Sequence, residues 1–312
     1  MKCPLCSATK VYKRRRFSVA RLSEEWTRGF GFNPFSSMGE VPKELTQWSC
    51  GRCDLRFYEP MLCGPAEFYE EMSRRFEAWY YEENKWEFDV AIDILSAADP
   101  RSLLELGCGK GYFLEKVAHA LDAKGLEFNP EGVRACRGKG LKVSDDSIDG
   151  IQERFDAIAS FEVLEHLAEP AKVLASMVER LNPGGLLIIA VPNPASYLSE
   201  ADHTLLDMPP HHVTAWSAKT FSYLAQMFGL TLQAMHQEPL RYVHYRSYLS
   251  NYLSAYEPPT GSSIKARLRR FLSQIFWRAS VPIVDAVAAT SYQANKKLLI
   301  GQTHLAVLEK ST

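Results

Sequence analysis

The chain has 312 residues, of which 46% are hydrophobic, and a formal net charge of -1. This length exceeds the ~100–200 residues typical of one domain and allows a sizeable core with additions. Near-neutral charge argues against a nucleic-acid partner, and the absence of an 18-residue apolar run argues against a membrane span. The polar, basic N-terminus is unlike a signal peptide, so we expect a cytoplasmic protein.

Four cysteines form two C-x-x-C pairs, Cys3 with Cys6 and Cys50 with Cys53. An odd number of cysteines without an export signal favours metal ligation over disulfides. Four thiolates at this spacing are typical of a closed structural zinc site, so we predict a zinc-binding module over residues 1–64 without a catalytic role. Trp48 and Phe57 are expected on its ribbon strands, whereas the segments KVYKRRRF and GFGFNPF are expected to project as an insertion.

An aromatic segment, residues 65–100, follows the cysteine pairs. Its aromatic residues recur at loosely helical spacing, which predicts one or two helices that cover the cleft of the next domain. Simple core packing is the alternative. We expect either Tyr69 or Tyr81 to lie near a ligand in that cleft.

The most informative segment is RSLLELGCGKGYFL, residues 101–114. Its apolar run predicts a strand buried on both faces, and the glycines permit a tight turn at which a nucleotide can approach the backbone N–H groups. A dinucleotide fingerprint would read G-x-G-x-x-G, whereas this chain has G-x-G-x-G. The spacing favours S-adenosylmethionine over NAD, with contacts from Glu105, Gly107, Gly109 and Gly111.

A second strand, within AKGLEFNP, ends in Glu127 about 20 residues beyond the glycines, where a ribose-binding carboxylate is expected. A short third strand, LKV, delivers Asp145 and Asp146 to the same sheet edge. The fourth strand, FDAIASF, ends at Phe161, which we also expect to contact the cofactor.

Four motifs in this order, LLELGCGKG, GLEFNP, FDAIASFEVLEHL and LNPGGLLIIAVPN, resemble the class I S-adenosylmethionine-dependent methyltransferases. The resemblance covers roughly Phe88 to Pro239 and the final strand, Gly301 to Lys310. It implies an α/β fold, a doubly wound, Rossmann-like sheet of seven strands with an antiparallel final pair, over residues 101–312. It also implies that Asp145 accepts from the adenine amino group, although Asp146 is adjacent.

A two-knuckle zinc module before such a domain resembles a bacterial family associated with sugar and secondary-metabolite methylation. This resemblance implies O-methylation of a saccharide or another small metabolite. Two alternatives stay open: an RNA methyltransferase, since zinc modules also precede the catalytic domain in certain ribosomal RNA methyltransferases, and a non-enzymatic methyltransferase-like module that only binds a partner. The intact glycine turn and both acids argue against the second.

The string E-V-L-E-H places Glu162 and Glu165 three residues apart, which is one helical turn, with His166 beside the second. It resembles the metal-binding motif of small-RNA 2′-O-methyltransferases and of ubiquinone-pathway O-methyltransferases. The resemblance implies a magnesium or manganese site at Glu162, Glu165, His166 and His212. The alternative is that these side chains cap or pin the helix.

Methyl transfer without a metal requires mainly alignment and, for a hydroxyl acceptor, a base. We expect this metal-independent mechanism, with His212 as the first candidate for the base and His166, His211 and Glu165 as the other catalytic candidates. The alternative is that one histidine of the pair caps the helix that follows it, SAKTFSYLAQMFGL.

The last distinctive region is an insertion over residues 239–300 before the final strand. Within it, residues 264–278 form an amphipathic basic pattern that could contact a membrane surface, a phosphorylated substrate or another subunit. Intramolecular packing is the alternative.

Overall fold

The computed structural model describes residues 1–196, 204–253, 282–296 and 299–312. These residues form two compact units: residues 1–193, 204–236 and 303–312 in the first, and 194–203 and 237–302 in the second. The basic pattern at 264–278 lies outside the described residues. None of the described helices is both long and apolar enough to cross a bilayer.

The strands, in chain order, are β1 (Val11–Ser18), β2 (Glu44–Cys50), β3 (Arg56–Glu59), β4 (Ser102–Leu106), β5 (Asp122–Leu126), β6 (Lys142–Ser144), β7 (Phe155–Phe161), β8 (Leu181–Pro192), β9 (Thr214–Ala215), β10 (Leu230–Pro239) and β11 (Ile300–Lys310). The α-helices are α1 (Val19–Phe30), α2 (Ala66–Arg75), α3 (Glu77–Tyr80), α4 (Trp86–Ala98), α5 (Tyr112–Val117), α6 (Pro130–Gly138), α7 (Pro170–Arg180), α8 (Ala218–Phe228), α9 (Tyr242–Leu253) and α10 (282–295).

The central sheet has seven strands in the order β10-β11-β8-β7-β4-β5-β6. The pairs from β6 to β8 are parallel, and β11 runs antiparallel to β8, which confirms the doubly wound sheet with an antiparallel final strand. The chain leaves β4 towards β5 and β6 and then returns to β7 on the other side. The carboxyl ends of β4 and β7 therefore form the switch point at which open α/β sheets bind ligands.

A smaller sheet has the order β1-β2-β3-β9. Trp48 and Phe57 face each other across β2 and β3, as the ribbon prediction required. The segment KVYKRRRF does not project from this sheet, because most of it forms β1, which pairs antiparallel with β2. Its run of exposed basic residues is typical of an edge strand, where charge discourages pairing with another chain.

The aromatic segment forms three helices, α2, α3 and α4, rather than the one or two expected. The first has no side-chain cap at Pro65, and a non-helical Phe76 separates it from α3. Helix α4 buries Phe88, Ala91 and Leu95 in the core beside the central sheet, so part of this segment has the simple packing role.

In the second unit, α9 and α10 share a small core of Leu240, Tyr245 and Ala288. The Tyr245 hydroxyl lies 2.7 Å from the Ser291 hydroxyl, and the Tyr292 hydroxyl donates to the Leu240 carbonyl at 2.7 Å. These contacts fix the two helices to each other.

Candidate functional site

The turn after β4 has the backbone geometry that its glycines allow. Gly107 and Gly109 have φ of 74° and 54°, values that residues with a side chain rarely adopt. A Cβ at Gly109 would lie 2.9 Å from Cε1 of Tyr81, so a side chain there would collide with that ring. Gly111, with φ of 75°, ends the turn at the N-cap of α5.

Glu127, just after β5, lies against this turn. Its carboxylate accepts hydrogen bonds from the backbone N–H of Gly109 and of Asn129, both at 2.7 Å. The Asn129 side chain donates to the Tyr81 hydroxyl at 3.4 Å. The carboxylate, the glycine turn and Tyr81 thus lie together at the carboxyl ends of β4 and β5. This arrangement fits an adenosyl ligand, because it places a carboxylate for ribose hydroxyls beside a glycine turn at the carboxyl edge of the sheet.

The remaining candidate cofactor residues differ in exposure. Glu105 is buried, and burial raises its pKa to about 8, while its Oε2 has no hydrogen-bond partner among the described residues. Asp145 is exposed and lies 3.9 Å from a guanidinium nitrogen of Arg137. Phe161 packs its ring against Phe113, with ring centroids 4.7 Å apart, inside the core. Their contacts with a cofactor stay predictions.

The two cysteine pairs come together as the spacing predicts. The Sγ atoms of Cys3 and Cys53 are 3.5 Å apart, as are those of Cys6 and Cys50. Tetrahedral zinc with Zn–S bonds of about 2.3 Å separates its sulfurs by about 3.8 Å, so this donor set fits the ion after a small expansion. A hydrogen bond from the Cys53 thiol lowers the pKa of Cys3 to about 5 and favours its thiolate form, whereas burial raises the pKa of Cys6 to about 11.

A second cluster consists of His166, His211 and His212, each of which offers a ring nitrogen within 4.8 Å of the others. The Nδ1 of His166 donates to the His211 carbonyl at 2.6 Å, and the Nδ1 of His211 donates to the Leu206 carbonyl at 2.8 Å. The Nδ1 of His212 lies 3.2 Å from Oδ1 of Asp207. Acceptors at Nδ1 leave Nε2 with its lone pair, which is the arrangement that metal-ligating histidines adopt.

Burial keeps the histidines of this cluster neutral. It lowers the pKa of His166 to about 4, and it lowers the pKa values of His211 and His212 well below the usual range. A neutral imidazole can accept a proton or ligate a cation. The three histidines are therefore in the protonation state that either mechanism requires at neutral pH.

Glu165 lies under the histidines and is only 1% exposed. Its Oε1 is 3.6 Å from Nε2 of His166 and 3.8 Å from Nε2 of His212. Neither carboxylate oxygen has a hydrogen-bond partner among the described residues. Burial, followed by the like charge of Glu162, raises the pKa of this carboxyl well above its usual range.

Glu162 does not share a helical turn with Glu165, since it has φ of 56° and only Leu164–His166 form a short 3-10 turn. Its Oε1 accepts from the Thr303 hydroxyl at 3.5 Å. The alternative that a histidine caps α8 does not hold, because Ser217 caps this helix by accepting from the Thr220 N–H at 3.2 Å.

Sequence reasoning left open which tyrosine approaches the ligand, and the structure separates their positions. Tyr81 covers the glycine turn, whereas the Tyr69 hydroxyl lies 3.2 Å from Nδ1 of His166. Asp207, which contacts His212, was not singled out at all. No local pattern marks Asp207, because it ends a 3-10 helix of only three residues, Leu205–Asp207, which is too short to show a hydrophobic period.

Comparison with known proteins bears on this geometry. The profile of a methyltransferase domain matches residues 71–235, more than half of the 312 residues. The chain belongs to this methyltransferase family. It is a class I, S-adenosylmethionine-dependent methyltransferase, and the match spans the glycine turn, Glu127 and the histidine cluster.

Several relatives are O-methyltransferases by name. The chain is 25% identical over 201 residues to a ubiquinone biosynthesis O-methyltransferase of Alkalilimnicola ehrlichii, a match that covers 56% of this chain and 80% of that protein. It is 31% identical over 118 residues to the Xylella fastidiosa protein of the same name, over 33% of this chain and 48% of the relative. The match thus spans only about half of the second relative.

Among solved structures, an S-adenosylmethionine-dependent methyltransferase from Archaeoglobus fulgidus is similar, with a TM-score of 0.46 and 16% identity. The similarity covers 78% of this chain and 99% of that protein.

Proposed function

We propose that this methyltransferase transfers a methyl group to a hydroxyl oxygen of a small organic acceptor, and that the histidine cluster with Glu165 handles that hydroxyl. The observation that carries the proposal is the convergence of two imidazole Nε2 atoms on one buried carboxylate oxygen, at 3.6 and 3.8 Å. The names of the relatives support oxygen as the acceptor atom. A saccharide is the acceptor that the sequence predicts, and the names of the relatives suggest an acceptor from ubiquinone biosynthesis.

The buried carboxylate supports a divalent cation at this cluster in preference to a base alone. The Glu165 carboxyl has no hydrogen-bond partner among the described residues, and burial raises its pKa despite the favourable charge of Lys85, so a bound cation would stabilise its ionised form. The residues that would hold the ion are His166, His211, His212 and Glu165. When bound, magnesium or manganese lowers the pKa of a coordinated hydroxyl.

The chain's own residues have three tasks in this reaction. Glu127 and the glycine turn hold the adenosyl part of the cofactor, so that the activated methyl group is presented at the carboxyl edge of the sheet. The histidine cluster holds the acceptor oxygen, and alignment of the two at about 3–3.5 Å supplies most of the acceleration. If no cation is bound, a neutral imidazole Nε2 accepts the hydroxyl proton as the ether bond forms and the sulfonium loses its methyl group. An imidazole that holds a cation has no lone pair left for this proton, so the proton of the acidified hydroxyl would then pass to water.

Methyl transfer from labelled S-adenosylmethionine tests the acceptor class. We expect label in a saccharide or in another small metabolite with a free hydroxyl, and none in total RNA. EDTA should stop the transfer, and magnesium or manganese should restore it. Label in RNA but in neither small molecule would contradict the proposal, and full activity in EDTA would limit the cluster to a base.

We further propose that Cys3, Cys6, Cys50 and Cys53 bind one zinc ion. Metal analysis of protein purified without a chelator should find one zinc per chain. Cys50→Ser should lower the Tm by at least about 5 °C, because a structural zinc contributes its binding energy to folding. Cys63→Ser, at a cysteine outside the cluster, is the control. An absence of zinc, or equal Tm values for both variants, would contradict this site.

A further inference from the structure

The two cysteine knuckles, Cys3–Ser7 and Cys50–Asp54, have the same backbone conformation. In each, the residue after the second cysteine is left-handed: φ is 55° at Ser7 and 65° at Asp54. Each of these residues donates its backbone N–H to the carbonyl oxygen of the first cysteine of its pair, Ser7 to Cys3 at 3.0 Å and Asp54 to Cys50 at 3.1 Å. The knuckles therefore do not differ in how they surround an ion.

The knuckles differ in what they contact next. The second knuckle leads directly into β3, which pairs antiparallel with β9, placing Phe57 opposite Thr214. The Tyr58 N–H donates to the Val213 carbonyl at 3.1 Å. Only two residues separate Cys53 from Arg56, where this pairing begins, and Val213 directly follows His212 in the sequence.

The opposite side of this segment is fixed to the turn that carries Glu165 and His166. The Val213 N–H donates to the Glu165 carbonyl at 2.8 Å, and the Thr214 hydroxyl donates to the Leu164 carbonyl at 3.2 Å. Residues 213–215 thus lie between the second knuckle and the Glu165 turn. His211 and His212 are attached to this segment through the chain, and His166 is attached through the hydrogen bond to its neighbour Glu165.

A side-chain contact strengthens the attachment to the knuckle. The Ser217 hydroxyl donates to the Asp54 carboxylate at 2.7 Å, and Ser217 is also the N-cap of α8. A hydrogen bond to a charged acceptor is stronger than one between neutral groups. Ser7 is exposed, and no hydrogen bond of its side chain is among the described contacts.

We infer that the second cysteine knuckle positions the histidine cluster of the active site: β3 and Asp54 hold residues 213–217, and these in turn hold His211 and His212 against Glu165. Asp54 is thereby a positioning residue for methyl transfer. The expected change in kcat rests on the proposed function, whereas the positioning of the histidine cluster does not. The knuckle is more than the inert stabilising module that the sequence predicts.

Two matched variants of the full-length protein, Asp54→Gly and Ser7→Gly, test this role. Glycine adopts the left-handed conformation readily, so each variant removes one side chain and leaves all four thiols in place. In Asp54→Gly we expect amide exchange at Val213 to be about tenfold faster and kcat about tenfold lower, with an unchanged KM for S-adenosylmethionine. Ser7→Gly should match the wild type, zinc content should be equal in both variants, and Asp54→Gly should lower the Tm by no more than a few degrees, because it loses one hydrogen bond. Asp54→Asn, which keeps an acceptor oxygen and tolerates positive φ, should restore most of the activity.

Equal Val213 exchange and equal kcat in the two glycine variants would overturn the inference, whether both match the wild type or both are impaired. If the wild type transfers no methyl group to any hydroxyl, the proposed function fails. The exchange rates at Val213 still decide the positioning role in that case, because they require no turnover.

Discussion

Replacement of Gly109 by valine is expected to abolish S-adenosylmethionine binding while the protein stays folded. Gly109 has φ of 54°, and a Cβ there would lie 2.9 Å from the Tyr81 ring. Its backbone N–H donates a hydrogen bond to the Glu127 carboxylate. A side chain in this conformation costs about 1–2 kcal/mol, and the steric conflict with Tyr81 adds to that cost. Calorimetric titration should show affinity reduced by more than about 100-fold, and Glu127→Ala should weaken binding as well, because it removes the expected ribose ligand.

Gly140→Val is the matched control for this prediction. Gly140 also has positive φ, 74°, but a Cβ there meets no atom within 4 Å. This variant therefore has the same backbone strain without a collision and should bind S-adenosylmethionine normally. Normal affinity in both Gly109→Val and Glu127→Ala would remove the basis for placing the cofactor at this turn.

The cofactor side of the site could be predicted from the sequence because its determinants are local. The glycines and Glu105 lie within seven consecutive residues, and Glu127 ends the next strand, so strand order alone brings them together. The two cysteine pairs are equally local. The pairs meet because β1 runs antiparallel to β2, which places Val11, just after the first pair, opposite Cys50 of the second pair at the same end of the small sheet.

The acceptor side could be predicted only in part, since its contacts join distant segments. The Tyr69 hydroxyl and His166 are 97 residues apart in sequence. Strand β9 has only two residues, too few for any hydrophobic period, so its pairing with β3 leaves no sequence signal. The helical spacing expected for Glu162 and Glu165 fails because positive φ at Glu162 turns the chain before the helical period can apply.

His212→Ala and Glu165→Gln are each expected to lower kcat by about 10²–10⁴-fold, the usual contribution of proton transfer at a hydroxyl. The two side chains converge, with Nε2 of His212 3.8 Å from Oε1 of Glu165. If the cluster holds a divalent cation, both variants should also lose manganese binding, measured by electron paramagnetic resonance on protein that retains its zinc. If His212 is only a base, manganese should not bind to the wild type, and only the histidine variant should change the pH profile of kcat.

His304→Gln is the control for both outcomes. His304, on β11, is also buried, and burial lowers its pKa to about 4. It packs against Phe221 of α8 and does not belong to the histidine cluster. Its replacement should leave kcat and manganese binding unchanged, which separates loss of a buried imidazole from loss of this cluster. Unaffected rates in both His166→Ala and His212→Ala, together with full activity in EDTA, would exclude the metal and the base alike. Catalysis would then depend on alignment of the acceptor with the methyl group, and Glu165 would need a structural reason for its burial.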